Sequence, residues 1–341
     1  MKVNLADRLQ VGSTSLKLPP MGFGAAHLGG MHRRVPGDVA RATLRAAWDG
    51  GIRHYDTAPF YGLGLSEHRL GEFLIDQPRA EFIVTTKVGR VLHRPADPRH
   101  FDRRQWSGGL NFEVEWSYSY DGIMRAYEQS LLRLGLDTID ALLIHDPDAG
   151  DHGKQLAARM KDMADSGMKA LRELKARREI RAIGMGLNTA EALHNIVPMV
   201  ELDFCIVAMP YTLLDQSALH AGMQRCAEKN ISIIIGAPYA SGILATGPGP
   251  DARYRYTTAP DEIQAKTRSI QAVCARHGIS MQAAALQFPL THPAVISIIP
   301  GGATPEEVRS NIGYLKEPIP TAVWAELKSE GLIDPESPTP G

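Results

Sequence analysis

Thr138-Ile139-Asp140-Ala141-Leu142-Leu143-Ile144-His145-Asp146-Pro147 is a short apolar run that stops on a histidine, an aspartate and a proline. Its length and apolar content read as a strand, and seven more runs of this kind occur, at 18–24, 51–56, 81–87, 180–186, 203–208, 231–237 and 295–300. Between them stand helix-periodic stretches near 38–50, 66–77, 121–135, 156–178, 189–199, 216–229, 260–277 and 280–290. Strands alternating with helices argue for parallel βαβ units, and eight of them argue for a closed barrel of the α/β class, a (β/α)8 TIM barrel. An open doubly wound sheet would carry G-x-G-x-x-G after its first strand. Gly22-Phe23-Gly24-Ala25-Ala26-His27 lacks the third glycine, so the barrel is preferred.

At 341 residues the chain needs no second domain. The expected organisation is one barrel over 1–333 and a loose C-terminal tail over 334–341, where prolines stand at 335, 338 and 340. Two segments break the alternation: 88–120, after the third strand, and 238–259, after the seventh. Loops of that length inside a compact domain are expected as lids or substrate loops, and both would overhang one barrel face.

Composition narrows the function classes. Hydrophobic residues make up 44%, charged residues 22%, and the net charge is -1, as in an ordinary soluble protein. Lys plus Arg number 37 against 38 Asp plus Glu, without a long basic run, so a nucleic-acid partner is not expected. No apolar run reaches the roughly 18 residues of a membrane span, and the first residues lack a signal peptide's apolar core. A cytoplasmic protein with a small-molecule substrate is expected, and nothing in the pattern sets its oligomeric state. Cys205, Cys226 and Cys274 are too widely spaced for a CxxC pair and read as buried, reduced thiols.

In a barrel, chemistry gathers where the strands end. The second strand runs into Asp56-Thr57-Ala58-Pro59-Phe60-Tyr61-Gly62, followed by Ser66-Glu67-His68-Arg69-Leu70-Gly71; the third ends on Lys87 and the fourth on His145. Taken singly, Asp56 could cap a turn, Tyr61 could be a loop aromatic, Lys87 a surface charge and His145 a core histidine. Together, in barrel order, they form a candidate catalytic group. An ammonium beside a phenol favours the phenolate, and a buried lysine needs an anionic partner, which Asp56 can supply. His145 would orient a substrate oxygen, leaving hydride transfer to a cofactor.

The DTAxxYG stretch, the downstream SExxLG, the strand-end TTK and the IHxP turn resemble the signature of the aldo-keto reductases, and the likeness runs from Leu18 to about Leu332. The resemblance implies Tyr61 as general acid and base, Lys87 and Asp56 as its tuning pair, His145 as the orienting group, and a nicotinamide cofactor bound without a Rossmann fold. The stretch Pro300-Gly301-Gly302-Ala303-Thr304-Pro305-Glu306-Glu307, running on to Asn311, is similar to the family's adenosine-phosphate loop. Gly301 and Glu307 stand where NADP-preferring relatives carry cations, so NAD is favoured over NADP, with Arg309 as a further phosphate partner. Thr304, Pro305 and Glu307 also spell a helix capping box, which any helix could use.

Other expected cofactor contacts are Gly22, Phe23, Gly24, Asp56, Asn188, Met209, Gly236, Ala237, Ser241 and Gly242, with Tyr239 standing in for the aromatic that stacks on the nicotinamide. Within the family, GFGAAHLGG (22–30) and YDTAPFYGLGLSEHRLG (55–71) resemble bacterial aldose 1-dehydrogenases acting on L-fucose or D-threo-aldoses, with pyridoxal 4-dehydrogenase as a neighbour. That branch implies oxidation of a cyclic hemiacetal to a lactone. His27, Phe60, Trp106, Trp116 and Tyr118, with Tyr61 and His145, are the expected substrate contacts, and Trp48 is expected in the core. The alternatives are pyridoxal oxidation, a broad NADPH-dependent aldehyde reductase, which Glu307 disfavours, and a non-catalytic sensor barrel, which the intact four disfavour.

Overall fold

Each of the eight apolar runs becomes a parallel strand of one sheet in the computed structural model, which describes residues 3–340. Met1, Lys2 and Gly341, the last residue of the expected tail, lie outside the described residues. The strands are β1 (Phe23–Gly24), β2 (His54–Asp56), β3 (Ile83–Val88), β4 (Ala141–His145), β5 (Ala182–Leu187), β6 (Phe204–Ala208), β7 (Ser232–Gly236) and β8 (Val295–Ile299), paired in that order. The sheet closes on itself. Gly22 N–H donates to Ile298 O at 2.8 Å, and Gly24 N–H donates to Pro300 O at 3.0 Å. Structures of this kind are (β/α)8 barrels.

The first run is longer than the strand it yields. Pro19 and Pro20 cannot donate to a ladder, so the run splits around them. Lys17–Leu18 pairs with Leu9–Gln10 in an antiparallel hairpin, leaving Phe23–Gly24 for the barrel. Val11, Leu16 and Leu18 of that hairpin join Leu143, Phe204, Ile206 and Ile234 in a buried cluster. The end of the barrel where the strands begin is thereby plugged, and chemistry is left to the other end. A hollow of about 880 Å³ does open at the plugged end, beside Arg8, Arg53, Arg79 and Asp140. Asp140 already accepts from Arg79, Arg181 and the Val84 amide, so its charge serves the fold.

The helices follow the expected pattern with local differences. The stretch 156–178 runs as Leu156–Asp162, a π turn at Met163–Gly167 and Met168–Ala176. A helix at Thr321–Ser329 was not expected. Trp48 is only partly buried, because it lies in the outer helix layer with its edges against Phe73 and Phe82 and Arg53 stacked 3.8 Å over its ring. Cys205, Cys226 and Cys274 are buried free thiols. Among the described residues no helix is long and apolar enough to cross a membrane.

Both long loops carry structure of their own. Residues 88–120 hold a hairpin of Arg90–His93 with Glu113–Trp116, and 238–259 hold a short helix, Ile243–Thr246, and a hairpin of Arg253–Tyr254 with Thr257–Thr258. The tail is not loose as expected. Ser337 is buried, Asp334 N–H donates to Gln216 Oε1 at 3.1 Å, and Thr291 donates to the Pro338 carbonyl.

The Ser66-Glu67-His68-Arg69-Leu70-Gly71 motif explains how β2 and β3 are held at their functional ends. It opens the helix Leu65–Leu74, whose Ser66 hydroxyl donates to Ala25 O at 2.8 Å and meets Thr57 Oγ1 at 2.9 Å. Glu67 is fully buried, accepting from Thr86 Oγ1 at 2.7 Å and Arg133 Nε at 2.6 Å. Gly71 lets the helix touch the next one, since a Cβ there would lie 2.1 Å from Leu134 O. Glu67→Ala strands a nearly buried guanidinium, and breaking a buried pair from one side costs about 3 kcal/mol. A denaturant titration should show the midpoint fall accordingly; an unchanged midpoint would mean that the pair contributes nothing.

Candidate active site

β2, β3 and β4 end side by side, and their last residues bring the four expected side chains together. Lys87 Nζ donates to Asp56 Oδ2 at 2.7 Å and to Thr57 O at 2.8 Å, and both charged side chains are 3% exposed. Thr85 Oγ1 donates to the other Asp56 oxygen at 2.8 Å, so the carboxylate is held from two sides. The ammonium stands 4.7 Å from the centre of the Tyr61 ring, and the His145 ring lies 5.9 Å from that of Tyr61.

Two opposing effects act on these groups. Burial alone would lower the pKa of Lys87, but the Asp56 carboxylate and the Tyr61 phenol more than reverse that, and the net direction is upward. Lys87 is therefore a fixed cation. For Tyr61, burial pushes the pKa up and the Lys87 ammonium pulls it down, with burial the larger effect. The sequence suggested a net lowering by Lys87. In the folded protein the phenol instead starts protonated, and the ammonium limits how far it rises. Burial, helped by Arg90 and Lys87, holds the His145 imidazole well below its usual pKa, so it is neutral. Its Nδ1 is buried without a hydrogen-bond partner among the described residues.

The expected cofactor residues line the same rim further round. The helix Pro305–Lys316 starts as predicted, with Thr304 Oγ1 accepting from the Glu307 amide at 3.2 Å. Glu307 also accepts from the Ala303 amide at 2.7 Å and from Arg33 at 2.8 Å, a partner the sequence did not suggest. Arg309 is turned to Glu306. Gly301 packs against His27, where a Cβ would lie 2.4 Å from Nδ1. His27 is thus placed beside the loop that begins at Gly301.

Tyr239 donates to Asn311 Oδ1 at 2.7 Å, and Asn311 donates to Gly301 O at 3.2 Å, so Tyr239 is tied to that loop too. Ala237, Ser241 and Gly242 all have positive φ, and Ser241 Oγ–H meets the Met209 sulfur at 3.6 Å. Asn188 Nδ2 donates to Asp146 Oδ1 at 2.8 Å, next to His145. A cradle of glycine, helix N-terminus and left-handed turns suits the close approach of a dinucleotide's phosphates. Gly22, Phe23 and Gly24 adjoin it at the β1–β8 seam, where Gly24 is bridged to Gly301, and Gly236 ends β7.

The aromatic residues divide into two groups. Trp106 is buried with its ring 5.2 Å from Phe60 and 5.8 Å from Tyr61, which places both at the reaction centre. Tyr118, expected at the substrate, is instead a buried strut: its hydroxyl donates to His145 O at 2.6 Å. Trp116 stacks on His152, centroids 4.1 Å apart, a layer behind. Burial pushes the His152 pKa down to about 4, so the neutral ring donates from Nε2 to Asp146 O at 2.9 Å and accepts from Arg159 at 2.6 Å.

Comparison with known proteins fits this geometry. The aldo/keto reductase family profile matches residues 20–330. The chain belongs to that family. It is 40% identical to a D-threo-aldose 1-dehydrogenase of Pseudomonas sp over 96% of this chain and 97% of the relative, and 35% identical to a pyridoxal 4-dehydrogenase of Microbacterium luteolum over 98% and 100%. An aldo-keto reductase of Bacillus halodurans in its holo form shares the fold, with TM-score 0.73 at 22% identity over 96% of each chain. As an aldo/keto reductase the protein is an oxidoreductase that works with a nicotinamide cofactor.

Two site residues of this aldo/keto reductase escaped the sequence reading. Tyr256, at the tip of the second loop's hairpin with φ 64°, is exposed and lies within electrostatic range of Tyr61 and of the carboxylates of Asp146, Asp148 and Asp151. Arg90, at the start of the other hairpin, is 2% exposed. The tyrosine-rich composition of 238–259 pointed to the first, but nothing local marked the second. Removing the Tyr61 hydroxyl should leave packing intact: Tyr61→Phe is expected to lower turnover roughly 10²- to 10⁴-fold, with cofactor binding by fluorescence quenching unchanged. Near-normal turnover would exclude Tyr61 as the proton carrier.

Proposed function

We propose that the protein oxidises a cyclic hemiacetal, an aldose such as L-fucose or D-arabinose, to its lactone in the cytoplasm. The observation that carries the proposal is a half-buried phenol beside a fixed ammonium and a neutral imidazole, all at one strand-end rim. Residues 300–311, 237–242 and Asn188 would hold the nicotinamide cofactor, which would supply the hydride acceptor. Tyr61 takes the proton of the anomeric hydroxyl, which frees the electron pair that forms the carbonyl as the C–H bond breaks. His145 donates to the same oxygen and holds the anomeric carbon in place. Lys87 stabilises the phenolate that this demands, and Asp56 keeps Lys87 charged. Trp106 and Phe60 close the pocket against water, which strengthens each of these interactions.

Support for the substrate class comes from the two long-range relatives, one named for aldose and one for pyridoxal oxidation. Pyridoxal as substrate is the second reading, and it also presents a ring hemiacetal. NAD is favoured over NADP, because His27 leaves no room for a side chain at Gly301, Glu306 holds Arg309, and Glu307 brings a carboxylate to the loop.

Initial rates with NAD+ and NADP+ against L-fucose, D-arabinose, D-glucose and pyridoxal test both points. The proposal expects aldose oxidation with NAD+ at least about tenfold more efficient than with NADP+, a difference of roughly 1.4 kcal/mol. Turnover of pyridoxal alone moves the protein to the second reading. A preference for NADPH with simple aldehydes would overturn both.

A further inference from the structure

We propose that Arg90 is a substrate-recognition residue, donating hydrogen bonds to a substrate oxygen one or two carbons from the one that is oxidised. This deepens the hemiacetal reading and rests on it. Arg90 follows Gly89, whose φ of 96° turns the chain out of β3 and into the first loop's hairpin. Its guanidinium carbon lies 4.1 Å from the centre of the Phe60 ring and 4.1 Å from that of Trp116. Both rings thus lie within cation–π distance of the guanidinium.

Only one guanidinium nitrogen is satisfied. Nη2 donates to Asp146 Oδ2 at 2.8 Å, whereas Nε and Nη1 are buried and have no partner among the described residues. A charged group taken out of water with N–H donors unmet is costly, and folded proteins seldom keep one without a use. The position supplies the use. Asp146 Oδ2, which Arg90 holds, lies 3.3 Å from His145 Nε2, and the Phe60 ring that covers Arg90 lies 6.3 Å from the His145 ring. The unmet donors therefore stand one side chain away from the imidazole that holds the reacting oxygen.

Trp106 strengthens the case independently. Its indole Nε1 is also buried without a partner among the described residues, and its ring meets both Phe60 and Tyr61. Two unrelated residues with buried, unmet donors thus lie against the same Phe60 ring, with Asp146 as a neighbouring acceptor. Such a set suits a hydroxyl one carbon, or a phenolate oxygen two carbons, from the hemiacetal centre. A plain aldehyde has nothing to offer it.

The test compares substrates that differ by that oxygen. Wild type, Arg90→Met and Arg90→Lys are assayed with NAD+ on L-fucose and 2-deoxy-L-fucose; if pyridoxal is the substrate, pyridoxal and 3-deoxypyridoxal make the same pair. Arg90→Met is expected to lower kcat/KM on the full substrate by roughly 10- to 100-fold, mostly through KM, and on the deoxy substrate by less than about 3-fold. Arg90→Lys keeps a charge for Asp146 but loses the planar fork, and the same split should appear at reduced size. It also serves if Arg90→Met does not fold. Equal losses on both substrates, from an active wild type, would make Arg90 a strut for Asp146 and overturn the inference alone. A wild type inert toward every substrate of both pairs would overturn the hemiacetal reading and the inference together.

Discussion

A single buried ion pair, Lys87 with Asp56, sets the terms for the rest of the site. Both side chains are almost wholly out of water, and the Asp56 carboxylate is held besides by the Thr85 hydroxyl. Neither charge could persist there alone, because a lone buried ion loses its hydration and changes protonation instead. The pair thus fixes a cation under the Tyr61 ring, and that cation limits what burial does to the phenol. The surrounding architecture serves this arrangement. Glu67 clamps Thr86 next to Lys87, Ser66 clamps Thr57 next to Asp56, and the N-terminal hairpin plugs the opposite end.

The fold was legible because it depends on period and order, which a sequence displays directly. The eight apolar runs and the helices between them became the barrel, and where a boundary moved, the cause was local: Pro19 and Pro20 cut the first run short. The four chemical residues were legible for a related reason. Strand ends are recognisable in sequence, and a barrel brings neighbouring strand ends together.

What could not be read was the direction in which loop side chains face. Trp106 and Tyr118 are both aromatic residues in one long loop, yet Trp106 packs on Tyr61 while Tyr118 turns back to the His145 carbonyl. His27 and Tyr239 read as ring-binding residues, and their contacts with Gly301 and Asn311 were not visible in the sequence. Arg90 and Tyr256 lie in hairpins whose pairing carries no periodic signal. The sign of the Tyr61 shift was missed for the same reason, since Lys87 is visible as a neighbour in sequence but burial is not.

A phenol that burial keeps protonated should act as a base only in its minor form, with Lys87 deciding how minor that form is. The most direct test is the pH dependence of substrate oxidation at saturating cofactor, in the wild type and in Lys87→Met, with folding checked by circular dichroism. The wild-type rate should climb steadily from about pH 7 to about pH 9, as expected for a phenol with an unperturbed pKa near 10 that is pushed upward. Lys87→Met should be slower by at least tenfold at neutral pH, with its rise displaced to higher pH. Superimposable profiles would contradict the claim that the Lys87–Asp56 pair sets the proton chemistry of Tyr61.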